Sequence, residues 1–230
     1  MVTDRTQVPD DRDLLDVVGA ALDGGAGGVL VRERDLPADE RAALVDAVGR
    51  LCTAHDALLV VAAPLLGRSR PEQSPRAPRP LAGAGVHLRS VDVDLDLVSA
   101  SVVGRSCHGA ADLVRAADDG LDYVTLSPVA ASASKPGYGP ALGYAGLRRT
   151  ITTARRARRS LPAVLALGGV EPHDAGRWVE AGADGVAVMG AVMRSTDPRA
   201  TTRALVAAVD AALAQRPPQR PRRGPRAVTT

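Results

Sequence analysis

The sequence predicts an α/β fold of repeated strand–helix units, and three observations carry that expectation. First, one pattern recurs at Gly25, Gly83, Gly120 and Gly182: a glycine, a small or acidic linker, then a run led by Val. The glycine suits the left-handed residue that ends a helix, and the apolar run suits a strand covered on both faces of a parallel sheet. Second, hydrophobic residues make up 45% of the chain, yet Phe is absent and aromatics reach 2%. Val, Leu and Ala must therefore fill the interior, which fits helices packed closely on a parallel sheet. Third, 230 residues are near the usual size of one α/β barrel.

The elements follow in order. A short first strand covers residues 2–4, a helix 12–23, a second strand 28–32, a helix 38–52 and a third strand 57–62. Residues 64–80 fall where the next helix belongs. They are rich in Pro and Arg, and proline inside a helix costs about 3 kcal/mol, so a loop is expected. The fourth strand is 85–88 and the fifth 101–104, followed by a helix at 109–119. A sixth strand at 123–126 leads to a helix at 141–158, and a seventh strand at 163–167 to a helix at 172–180. The eighth strand is 185–189. The last helix spans 198–215, with Asp197 as its N-cap and Pro198 in its first turn. Eight strands alternating with helices give the fold class as α/β, a (β/α)8 TIM barrel in a single domain with its third helix degenerate. An open doubly wound sheet shares this pattern, but the glycine loops after the last two strands favour the barrel. Residues 1–215 form the barrel, 64–80 an insert, and 216–230 a disordered Arg/Pro tail.

The isoelectric point of 9.3 raises a nucleic-acid partner, and the placement of the charge argues against one. Five arginines lie between Arg216 and Arg226 without an acid, four more accompany Glu72 in the insert, and the rest of the chain is net acidic. Pro/Arg-rich segments of this kind are expected to be solvated and disordered. No apolar run reaches the length that spans a bilayer, and the first residues lack a signal-peptide layout. Two cysteines, Cys52 and Cys107, make no disulfide framework. The expectation is a cytoplasmic protein with small-molecule partners, no nucleic acid and no membrane.

Candidate chemistry gathers after the predicted strands. Gly168 and Gly169 stand between a strand and a helix start, and Met189 and Gly190 follow the last strand. Such turns let backbone N–H groups approach a phosphate, and barrels place phosphate sites after strands seven and eight. Ser132, Ser134 and Lys135 follow the sixth strand, and Lys135 is the only lysine against 28 arginines. Two hydroxyls and an ammonium could hold a diphosphate. Alternation sends Arg32 and Arg34 to one side and Glu33 to the other; the pair reads either as an anion clamp or as part of a rim salt-bridge cluster with Asp35. Asp92 could ligate Mg2+ or cap a following turn. Ser106 could donate to a phosphate, and His87 and His108 serve acid–base chemistry or packing.

Together these residues resemble the thiamine phosphate synthase/TenI family. The resemblance is carried by Val2-Thr-Asp-Arg5, Arg32-Glu-Arg-Asp35, Gly85-Val-His-Leu88, Gly104-Arg-Ser-Cys-His108, Ser127-Pro-Val129 with Ser132 to Gly137, Leu167-Gly-Gly-Val170 and Gly182 to Met189. It is close from Gly85 to Met193 and weaker before. It implies thiamine biosynthesis: a transferase joining an aminopyrimidine diphosphate to a thiazole phosphate with release of pyrophosphate. Arg32, Arg34, Ser106 and Lys135 would meet the diphosphate, with Arg34 where the family has Lys, and Asp92 would hold Mg2+. Ser132, Ser134, Gly169 and Gly190 would hold the thiazole phosphate. Leu30 replaces a family Gln, and Ala62-Ala63-Pro64 replaces Asn-Asp-Arg, which weakens the expected Mg2+ site. A TenI-like thiazole phosphate tautomerase, with His108 as the proton-transfer group, and a non-catalytic phosphate-ligand binder are the alternatives. A homodimer is the assembly left open.

Overall fold

The computed structural model describes residues 1–63, 83–92, 100–132 and 139–216. The predicted insert with its degenerate helix, the tail beyond residue 216, and both Ser134 and Lys135 lie outside the described residues.

Among the described residues, seven strands form one curled, wholly parallel sheet in chain order. They are β1 (Gly28–Val31), β2 (Leu58–Ala62), β3 (Gly85–Leu88), β4 (Val103–Cys107), β5 (Tyr123–Leu126), β6 (Ala163–Leu167) and β7 (Gly185–Ala187). The predicted first strand is reduced to Val2, which makes an isolated parallel bridge with Leu30. That residue joins the sheet's two edges. Val2 N–H donates to the Val188 carbonyl at 2.8 Å, and Thr3 N–H donates to the Leu30 carbonyl at 2.9 Å. Asp4 leaves the ladder because its carboxylate accepts from Thr6 N–H and starts a 3-10 turn at Arg5–Gln7. The result is a TIM-like arrangement.

The helices are α1 (Leu14–Asp23), α2 (Ala38–Ala54), α3 (Ala110–Asp118), α4 (Gly143–Ala157), α5 (Ala175–Glu180), the short α6 (Gly190–Met193) and α7 (Pro198–Ala214). Asp197 caps α7 as expected, accepting from Ala200 N–H at 2.9 Å. All four glycines of the repeating pattern have positive φ, a conformation that a Cβ disfavours. The acidic linker has its own task. Asp122 accepts from Val103 N–H at 2.8 Å and Asp184 from Val164 N–H at 2.9 Å, so each ties one unit to the start of the preceding strand.

Strand residues alternate between two cores. Val29, Val31, Val124, Leu126 and Val164 face the helices and pack with Val18, Leu113, Leu147 and Ile151. Leu30, Val60, Ala62 and Ala187 form the inner cluster with Val2, against Tyr123 and Leu165. β4 runs two to three residues later than predicted. Gly104 reads as a strand end, but it lies inside β4 because the Tyr123 ring fills the space its side chain would need. A Cβ there would lie 2.1 Å from that ring. Forcing extra volume into such a core costs about 1–3 kcal/mol. Gly104→Ala is therefore expected to lower the melting temperature by roughly 4–10 °C in calorimetry; an unchanged value would contradict this packing.

Candidate active site

Because every strand runs the same way, the strand C-termini open on one rim, where a cavity of about 800 Å³ lies. Arg32 and Arg34 follow β1, Arg89 and Ser90 follow β3, and all four line one part of it. Ser106 in β4 and His108 beyond it line it further round. Ser132, Gly168, Gly169, Met189 and Gly190 line another part. Nine of the predicted site residues therefore share one cavity.

The alternation expected after β1 holds. Glu33 turns away and is 3% exposed. It accepts from the Arg5 backbone N–H and guanidinium, both at 3.2 Å. Asp35 pairs with Arg5 at 2.7 Å, so the rim cluster forms around Arg5. Arg34 lies among like charges. Burial first, then Arg32, Arg89 and Arg41, hold its guanidinium below the usual range, with Asp92 opposing them.

Ser106 is positioned from within the cylinder. His87 Nε2 lies 3.0 Å from Ser106 Oγ, and Nδ1 lies 2.9 Å from the Tyr123 hydroxyl. Burial, then the charge of Arg34, lowers the His87 pKa to about 4. Burial pushes the Tyr123 hydroxyl upward. Neutral His87 thus has one N–H to share between these neighbours. The sequence pointed to His87 without its partners; the partnership requires the β3–β4–β5 register, which places Gly104 beside both His87 and Tyr123.

His108 lies at the mouth, with Nδ1 2.8 Å from the Ser127 carbonyl. A carbonyl only accepts, so Nδ1 carries a proton. Gly168 and Gly169 both have positive φ. They also serve the loop after β5: Val129 N–H donates to the Leu167 carbonyl at 3.0 Å and Ala130 N–H to the Gly168 carbonyl at 2.9 Å. A Cβ on Gly169 would lie 2.3 Å from the Ala131 carbonyl oxygen. The glycines are thus required by loop packing. Arg194, which sequence reasoning did not select, also lines the cavity and lies against Gly190 while donating to the Gln7 side chain.

Asp92 stands apart from the cavity wall. Its carboxylate accepts from Arg89 N–H at 2.8 Å and Arg89 Nε at 2.9 Å. Burial raises its pKa, but these bonds and the charges of Arg89 and Arg34 outweigh that and hold it low.

A parallel curled α/β sheet with an arginine-lined and glycine-lined cavity at its strand ends defines a TIM-like phosphate-ligand enzyme scaffold. The chain belongs to the thiamine monophosphate synthase family, whose model matches residues 1–192. It is 36% identical over 210 residues to a thiamine-phosphate synthase from Roseiflexus castenholzii, covering 89% of this chain and 85% of that protein. It is 34% identical over 210 residues to one from Methanoculleus marisnigri, covering 89% and 92%. Its fold matches a thiamine phosphate pyrophosphorylase structure from Pyrococcus furiosus with a TM-score of 0.72, at 24% identity over 92% of this chain and 95% of that one. The family is one of transferase enzymes of thiamine biosynthesis.

The family is generally Mg2+-dependent, and the described residues do not fit that ion. Hard dications want several oxygen ligands, carboxylates above all. No group of three candidate ligands occurs among the described residues, and Asp92 is taken up by Arg89.

The His87 geometry sets a pH dependence. A histidine kept neutral in the fold but able to protonate when unfolded makes the unfolded state bind more protons below its ordinary pKa. Stability from this source is complete above about pH 6.5 and falls as pH drops towards 4, by roughly 3 kcal/mol in all. Urea unfolding between pH 7 and 4.5 should show a steeper loss for the wild type than for His87→Gln. Parallel curves would contradict the buried neutral ring.

Proposed function

We propose that this protein is a thiamine-phosphate synthase-like transferase. It joins an aminopyrimidine diphosphate to a thiazole phosphate and releases pyrophosphate. The observation that carries the reading is the single cavity with arginines after β1 and β3 and glycine turns after β6 and β7. Its substrates are small phosphorylated molecules.

Arg32 and Arg34 would neutralise charge as the bond between the pyrimidine methylene and the diphosphate oxygen breaks, and the leaving group departs as pyrophosphate. Fixed cations aimed at developing charge are among the strongest devices in catalysis. Ser106, oriented by His87, would donate its O–H to the same group. Ser132 and the backbone around Gly169 and Gly190 would hold the thiazole phosphate, so that the thiazole nitrogen captures the methylene carbon. Ser134 and Lys135 are assigned to these two groups through family likeness. Leu30, where the family has Gln, gives the pyrimidine end an apolar wall.

One observation favours a second reading, a TenI-like tautomerase. His108 lies at the cavity mouth, where its imidazole is held by the Nδ1 proton on the Ser127 carbonyl and could serve proton transfer. In that case His108→Ala would abolish isomerisation of the thiazole phosphate while its binding survives.

Purified protein supplied with both precursors is expected to form thiamine phosphate and pyrophosphate in equal amounts, followed by chromatography. Arg34→Ala should lower kcat/KM by roughly 100-fold or more. Absence of product from the wild type, together with failure to rescue a synthase-deficient strain, would reject the transferase reading.

A further inference from the structure

The part of the cavity between β1 and β3 carries positive charge where a metal-assisted site would carry negative charge. Two acids of the described residues could have served a dication there, Asp92 and Glu33. Asp92 gives its carboxylate to Arg89, whose guanidinium approaches to 2.7 Å. Glu33 is buried and directed to Arg5. After β2 the chain runs through Ala62 and Ala63, both buried, and the guanidinium of Arg41 reaches over from α2 to donate to the Ala62 carbonyl. The described residues that end β2 thus bring no carboxylate to this space. Among the described residues the acid lining the cavity is Glu171, on the turn after β6 and in the other part of the site.

The arginines point to what fills this space. Arg32, Arg34 and Arg89 line it together. Arg34 makes no side-chain hydrogen bond or ion pair among the described residues, and its charge is opposed by those of Arg32, Arg89 and Arg41. Like charges gathered on one wall are costly alone, and a multivalent anion relieves them. Guanidiniums are suited to this because each presents a planar fork that matches phosphate oxygens. Asp92 fits as the group that aims Arg89: its two oxygens fix both the backbone N–H and the Nε of that arginine.

We propose that the chain binds the diphosphate of its substrate through Arg32, Arg34 and Arg89 without a divalent cation, with Asp92 positioning Arg89. This rests on the transferase reading, which supplies the diphosphate.

The test is calorimetric titration of the full chain with inorganic pyrophosphate, in EDTA and in excess MgCl2. Binding is expected in EDTA, and Mg2+ should leave it unchanged or weaken it by competing for the pyrophosphate. Arg89→Ala should weaken binding in EDTA by roughly tenfold or more, with circular dichroism verifying that the variant is folded. Asp92→Asn separates the two accounts: it leaves one acceptor oxygen for the two Arg89 donors, so it should weaken pyrophosphate binding to the same extent in EDTA and in MgCl2, because Arg89 loses an anchor and no metal contact is lost. Tighter binding in Mg2+ that disappears in Asp92→Asn would overturn the inference and leave the transferase reading standing. No binding in either buffer would also overturn it. Intact Mg2+-independent binding in a protein that forms no thiamine phosphate would support the arginine site and reject the transferase alone.

Discussion

The parallel ladder in unbroken chain order is the constraint from which the rest follows. Each strand hydrogen-bonds only to its sequence neighbours, from β1 to β7, and Val2 links the last to the first. Seven strand ends must then converge on one rim. Residues as distant in sequence as Arg32 and Gly190 share a cavity because of this arrangement and without any direct bond between them. Sliding one strand by a single residue would exchange its inner and outer faces and send Ser106 or Arg32 into the helix layer.

The lack of Phe is answered inside the cylinder by unequal sizes. Gly104 leaves room on β4 that Tyr123 from β5 fills, and Gly85 leaves room on β3 that Val102 fills. The same economy places a polar pair, Tyr123 and His87, in the interior, where each must satisfy the other. Their bond reaches Ser106 at the cavity wall. Packing in the barrel core and the orientation of a site hydroxyl are therefore one arrangement.

Much of the fold could be read from the chain because glycine and the linker acid each carry a local physical reason. β3 and β5 fall on the residues expected, since an apolar run after a helix-ending glycine fixes a buried strand, and β6 does so as an apolar run between Pro162 and Gly168. β4 did not, because Gly104 answers to Tyr123, a contact across strands that no local pattern reveals. The first strand shrank to Val2 because Asp4 turns back on its own backbone. In the site, alternation separated Arg32 and Arg34 from Glu33 correctly. Arg89 went unnoticed as a residue lining the cavity: its placement depends on the Asp92 carboxylate three positions on and on the approach of Arg34 from another strand. The need for glycine at 169, set by the approach of the Ala131 carbonyl, likewise emerges only when two loops meet.

The central claim is that two anion-binding regions face each other in one cavity. A crystal structure of the protein with a thiazole phosphate and inorganic pyrophosphate tests it most directly. The account predicts the phosphate against Gly169 and Gly190 and the pyrophosphate on Arg32, Arg34 and Arg89 within the same space. Either anion bound elsewhere on the molecule, or both competing for one set of contacts, would contradict it.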